Sequence, residues 1–173
     1  MAVIAPSRRV RRTPFTEGVE AAGVKGYTVY NHMLLPTVFR SVEEDYHHLK
    51  NAVQVWDVAV ERQVELRGPA AARLMQMLTP RDLRGMLPGH CVYVPIVDET
   101  GGMLNEPVAL KLSEDRWWIS IADSDLLFWV KALAYGYRLD VLVDEPDVSP
   151  LAVQGPLAED LMSLVFGDAV RAI

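Results

Sequence analysis

The chain has 173 residues, a formal net charge of −6 and an apolar content of 50%. That is ample for a packed globular core, and no apolar run approaches the roughly 18–20 residues that span a bilayer. An acidic balance argues against nucleic acid, which is gripped through a basic face; the one basic cluster, Arg8, Arg9, Arg11 and Arg12, reads as a solvated arm or an anion contact. A lone cysteine excludes an internal disulfide and fits a reducing compartment. The four histidines, His32, His47, His48 and His90, show no ligand spacing with Cys91, so no zinc site is expected. The basic residues follow a very short apolar start, the reverse of a secretory leader. The expectation is a soluble cytoplasmic protein without membrane association.

Residues 1–20 carry charge and two prolines without periodicity and read as an arm. Residues 26–39 are apolar and aromatic, broken by Asn31-His32 and Pro36, as either a strand and turn or a loop. Ser41 and Glu44 form a capping-box pattern. The helix that follows sets Val42, Tyr46, Leu49 and Val53 on one stripe, with His47, His48 and Lys50 on a solvated face. Two strands are read at 53–59 and 63–66, with Asp57 and Glu61 near their junction. Gly68-Pro69 then opens a helix over 70–78, with proline at its first position and Ala71, Leu74, Met75 and Leu78 on one side. A short helix is expected around 80–87.

The centre of the chain, 91–122, reads as a meander of three strands, 91–97, 103–112 and 117–121, joined at Asp98–Gly102 and Ser113–Asp115. Glu106 interrupts an apolar second strand, with Tyr93 facing it from the first. A carboxylate there is either an edge residue in water or part of a site. Asp123-Ser124-Asp125 is placed to cap a helix running to about Ala134 and ended by Gly136. Strands are expected at 137–143 and 150–154, with a turn at 144–147.

Residues 153–162, VQGPLAEDLM, then echo residues 66–75, LRGPAAARLM. Strand, Gly-Pro and helix recur with Ala, Leu and Met in matching places, which suggests two packed α+β modules. The second helix should end near Gly167, and 170–173 reads as the start of a strand, so that the chain stops in mid-fold. The expected organisation is an arm and first helix over 1–50, an α+β module over 51–147, and an incomplete second module over 148–173.

Taken together, Val55-Trp56-Asp57-Val58, residues 64–69 with their helix, Leu78-Thr79-Pro80-Arg81-Asp82-Leu83, Pro88-Gly89, Gly101-Gly102 before the acidic strand, and Val153-Gln154-Gly155-Pro156 resemble the glycine-cleavage T-protein family of tetrahydrofolate-dependent methyl- and aminomethyltransferases. Residues 27–36, 56–63, 104–112 and 117–125 look most like the branch that demethylates dimethylsulfoniopropionate (DMSP). An ordinary T-protein would be expected to show Ser-His-Met after its Asp-Val, and an Asp-Asp pair where this chain has Asn105-Glu106.

The resemblance implies a T-protein-like α+β folate-binding fold of antiparallel sheets with packed helices, in a chain roughly twice this long, with this sequence as its N-terminal half. It implies methyl transfer from DMSP to N5 of tetrahydrofolate, giving 5-methyltetrahydrofolate and methylmercaptopropionate, with no metal. It assigns Glu106, one methylene longer than the family's usual aspartate, to the proton that N5 loses. It places Tyr93, Ser120, Ile121 and Ala122 against the folate, and Tyr30, His32 and Trp117 on the substrate side. The alternatives left open are an aminomethyltransferase or other folate-dependent demethylase, and a non-catalytic folate-binding module. A homodimer is among the assemblies it allows.

Overall fold

The computed structural model describes residues 9–123 and 125–173, which form two α+β units: one runs to Val60 and also takes in Ser149–Ile173, the other is Glu61–Val148. The division differs from a split at residues 50 and 147, because the strand that follows Ala52 pairs with one near the C-terminal end and draws 51–60 into the first unit. Among the described residues, no helix is long and apolar enough to cross a membrane.

The first unit starts with a short helix, α1 (Thr16–Ala21), and a hairpin of β1 (Gly26–Tyr30) and β2 (Met33–Val38). Asn31 and His32 form the two-residue loop at φ 47° and 61°, the doubly left-handed turn that matches the twist of paired strands. The Asn31 side chain is buried and donates from Nδ2 to the Val60 carbonyl at 3.0 Å, which holds the turn in place. In α2 (Val42–Asn51), Ser41 caps as expected, its Oγ accepting from the Glu44 amide at 3.1 Å. The apolar stripe expected on this helix is not a buried face: Val42 is 75% and Tyr46 55% exposed. The helix is instead tied through Asp45, whose Oδ2 accepts from the Phe39 amide at 2.9 Å. Next comes β3 (Gln54–Asp57), where Asp57 is buried and accepts from Thr13 Oγ1 and from the Ala59 amide, pinning the N-terminal arm.

The second unit contains β4 (Gln63–Arg67), α3 (Ala71–Leu78), β5 (Cys91–Tyr93), β6 (Ile96–Val97), β7 (Met103–Asn105), β8 (Val108–Ser113), β9 (Arg116–Ser120), α4 (Leu126–Gly136) and β10 (Leu142–Asp144). Five of the strands make an antiparallel sheet in the order β10-β4-β9-β8-β5, while β6 and β7 form a separate ribbon. The expected three-strand meander is therefore cut twice. Both cuts fall at a proline, Pro95 and Pro107, whose missing N–H cannot continue a ladder. The core face of the sheet meets α3 through Ala71, Leu74, Met75 and Leu78, as the spacing predicts, and α4 through Leu126, Val130 and Ala134.

Four further expectations are corrected here. Pro69 precedes the α3 N-cap, Ala70, rather than opening the helix. Residues 80–87 form turns, held by the Gln76 side chain on the Arg81 carbonyl and the Leu83 amide at 2.8 and 2.9 Å. The strand expected at 137–143 shortens to β10, because α4 ends in a Schellman motif: Arg138 takes φ 51°, its amide bonds the Tyr135 carbonyl, and the Leu139 amide bonds that of Ala134. Gly136 lies inside the last turn of the helix rather than past it.

The chain returns to the first unit with β11 (Leu151–Gln154), antiparallel to β3, and α5 (Ala158–Phe166) capped by Gly167. Where a strand was expected at 170–173, the chain forms a 3-10 helix, Asp168–Ala172. In it Arg171 reaches back to Glu159 and Asp160 of α5 at 2.7 and 2.9 Å.

Candidate functional site

Antiparallel pairing sets directly opposed residues on the same face of a sheet. In the second unit one rung runs Gln63–Ser120–Val108–Tyr93 across four strands, and the next rung on that face is Glu65–Trp118–Leu110–Cys91. The alternate residues, among them Val64, Ile119 and Ala109, belong to the core with α3 and α4. Tyr93 and Ser120, both expected at the folate, thus share the face that looks away from that core.

Glu106 occupies the break between β7 and β8, next to Pro107, whose carbonyl accepts from the Val94 amide at 2.9 Å. The ladder thereby brings the backbone of Glu106 to the end where Tyr93 sits. The Glu106 side chain is exposed and makes no hydrogen bond or ion pair among the described residues, so its carboxylate is available to a ligand. Tyr93 is 52% exposed, and Arg81 Nη1 donates to its carbonyl at 2.8 Å, closing that position of the edge strand.

The segment Ser120–Ala122 is held from three directions. Gln63 Nε2 donates to Ser120 Oγ at 2.9 Å and to the Glu61 carbonyl at 2.8 Å. The Ile121 amide bonds the Arg62 carbonyl at 3.0 Å. Asn105 makes a two-point contact with Ala122, donating from Nδ2 to its carbonyl and accepting at Oδ1 from its amide, each at 3.0 Å. The amides of Ile121 and Ala122 are therefore committed internally, and the Ile121 side chain is itself buried.

Trp117 departs from its expected substrate-side place. It is 2% exposed in the core, with Lys111 Nζ lying 5.6 Å from its ring. One residue along, Trp118 stands on the face with Tyr93 and Ser120, and its Nε1 donates to Glu65 Oε1 at 2.9 Å. Burial alone would raise the Glu65 carboxyl, but hydrogen bonds from Trp118 and Arg116 outweigh it and hold the group below the usual carboxylate range. Glu61 has no such support, and burial pushes its carboxyl up. The residue at the N-cap of α4 is Asp125, and its side chain makes no capping bond.

Tyr30 and His32 belong to the first unit. Tyr30 closes β1 and is half-buried, while His32 is exposed in the hairpin loop with its carbonyl accepting from the Arg11 amide at 2.7 Å. Neither lines a cavity of about 620 Å³ in that unit, which is bounded by Phe15, Phe39, Asp45, Trp56 and Asp57 among others.

The buried residues that order this region and that sequence reasoning missed are Gln63, Asn105 and Lys111. Lys111 stands where the alternation of β8 asks for an apolar residue, and Asn105 stands next to Glu106, so each left a signal; Gln63 fits the polar face of β4 and left none. Lys111 is satisfied by the Met86 carbonyl and Glu114, both at 2.8 Å.

Comparison with known proteins gives a consistent picture. The GCVT N-terminal domain family matches residues 15–172. A dimethylsulfoniopropionate demethylase from Ruegeria pomeroyi is 64% identical over all of this chain and 48% of its own length. An aminomethyltransferase from Lysinibacillus sphaericus is 24% identical over 96% of the chain and 46% of its own. The crystal structure of the glycine cleavage system aminomethyltransferase T from Bartonella henselae superposes with a TM-score of 0.80 at 20% identity, over 89% of this chain and 43% of that one, and so shares the fold. The chain spans about half the length of the curated relatives it matches.

Proposed function

Since this chain belongs to the GCVT N-terminal domain family, we propose that it supplies the N-terminal part of a tetrahydrofolate-dependent methyltransferase that demethylates DMSP. The observation that carries this reading is the 64% identity to the Ruegeria pomeroyi demethylase over the entire chain, against 24% to the aminomethyltransferase. The folate lies on the face carrying Tyr93 and Ser120, and the protein works in the cytoplasm.

In this reaction the N5 lone pair of tetrahydrofolate attacks the sulfonium methyl, the C–S bond breaks, and its electron pair returns to sulfur. The neutral thioether is already a good leaving group, so the protein's tasks are alignment, exclusion of water and acceptance of the N5 proton. Glu106 has an unengaged carboxylate for that proton. Tyr93 and Trp118 offer aromatic faces to the pterin or to the cationic sulfur. Tyr30 and His32 remain assigned to the substrate side, while Trp117 acts from the core by fixing the strand that carries Trp118 and Ser120.

The test uses a full-length chimera, residues 1–173 joined to the remainder of the Ruegeria pomeroyi enzyme. Glu106→Gln should lower kcat by about a hundredfold, the scale of a lost general base, whereas Glu106→Asp should retain most activity. A Glu106→Gln chimera with unchanged kcat would remove this residue from the mechanism.

A further inference from the structure

We infer that Asn105 is a positioning residue that sets Glu106 relative to the Ser120–Ala122 segment; this rests on the folate-dependent reading above. Asn105 is 5% exposed, the last residue of β7, and immediately precedes Glu106. Its amide reads both backbone groups of Ala122, 17 residues on, through two bonds of 3.0 Å. A carboxamide does this because it presents one donor and one acceptor side by side, matching a peptide group's carbonyl and N–H.

The geometry gives the contact a consequence beyond stability. The β-ladder does not connect Glu106 to Ala122: β7 pairs with β6, and β9 ends at Ser120. Pro107 interrupts the path from Glu106 into β8. Asn105 is thus a direct tie between the carboxylate's backbone and the segment placed against the folate. Gln63 fixes the other end of that segment through Ser120, so two buried carboxamides hold it at both ends. An aspartate at 105 would keep the acceptor for the Ala122 amide but set a carboxylate oxygen against the Ala122 carbonyl. The Asn105 side chain and the Ala122 backbone therefore form a matched set.

The experiment compares Asn105→Asp, Asn105→Ala and a Ser41→Ala stability control in the full-length chimera. The measurements are tetrahydrofolate affinity by titration, KM and kcat with DMSP, and hydrogen exchange at Ala122. Opening the tie should raise the tetrahydrofolate Kd and KM about tenfold, given that displacements near an ångström cost up to about a hundredfold. The KM for DMSP should stay within about twofold, and Ala122 should lose protection in Asn105→Ala and less in Asn105→Asp, which keeps the acceptor for its amide. Ser41→Ala should lower Tm and leave all three unchanged. Loss of Ala122 protection with folate binding and kcat both unaltered would make the contact purely structural and overturn the proposal. A parent that binds tetrahydrofolate but does not demethylate DMSP would refute the substrate and leave the Asn105 comparison to be read from Kd. A parent that binds no folate would overturn both.

Discussion

The two Gly-Pro turns invite comparison, because nearly the same words of sequence produce the same turn and very different burial. Gly68 and Gly155 stand at φ 134° and 124°, reached readily only without a side chain. In each, the residue two places on donates to a backbone carbonyl that also crowds the glycine: Ala70 to Asp140, and Leu157 to Ala52. The helices then part company. In the second unit α3 lies on a five-stranded sheet and buries four side chains, whereas α5 follows a two-stranded ribbon and buries none, with Leu164 84% and Phe166 70% exposed. The turn is a local property of Gly-Pro and one carbonyl. Burial is a property of what the helix finds opposite it.

The comparison is tested most strongly at matched leucines. Leu74→Ala should cost about 4 kcal/mol, as for a fully buried leucine; Leu161→Ala, at the same place in α5 and only half-buried, should cost about 1 kcal/mol by the same measure. Urea unfolding of the two variants decides this, and equal losses would mean that α5 is covered in solution. The glycines should reverse that order. A Cβ at Gly155 would lie 2.3 Å from the Ala52 carbonyl oxygen, against 2.9 Å from that of Asp140 at Gly68. Gly155→Ala should therefore lose about 3 kcal/mol and Gly68→Ala about 2 kcal/mol, combining backbone strain with overpacking.

A smaller effect marks the second unit alone. Glu65→Gln should cost about 1–2 kcal/mol near pH 7, the scale of a charged hydrogen bond with a partly exposed partner. Because the folded carboxyl is held low, that stabilisation is complete above the unfolded value of about 4.3 and disappears as pH falls through the lower folded one. Parent and variant should have converging Tm values in acid, and a gap that persists there would put the contribution in packing instead of charge.

The order of elements, the Ser41 cap, the apolar side of α3 and the repeated turn were legible because each depends on neighbours within a few residues. Tertiary effects were not. Nothing in the spacing of Val42 and Tyr46 shows that Asp45 holds α2 by its polar side. Two adjacent indoles do not reveal which one enters the core until the register of β9 is known. The strand breaks at Pro95 and Pro107 were visible, but apolar continuity concealed them. Glu106 was found because a charge stands out on an apolar strand, whereas Asn105 is marked only by its place beside Glu106, and its partner seventeen residues away is invisible in the sequence.

The most direct test of the account is to supply the full-length chimera with DMSP labelled in its S-methyl carbons, together with tetrahydrofolate, and follow the label. The account predicts equimolar 5-methyltetrahydrofolate carrying the label and methylmercaptopropionate, with no turnover when DMSP is replaced by an aminomethyl-lipoyl carrier. A folded chimera that binds tetrahydrofolate yet passes no label to it, or that prefers the aminomethyl donor, would contradict it.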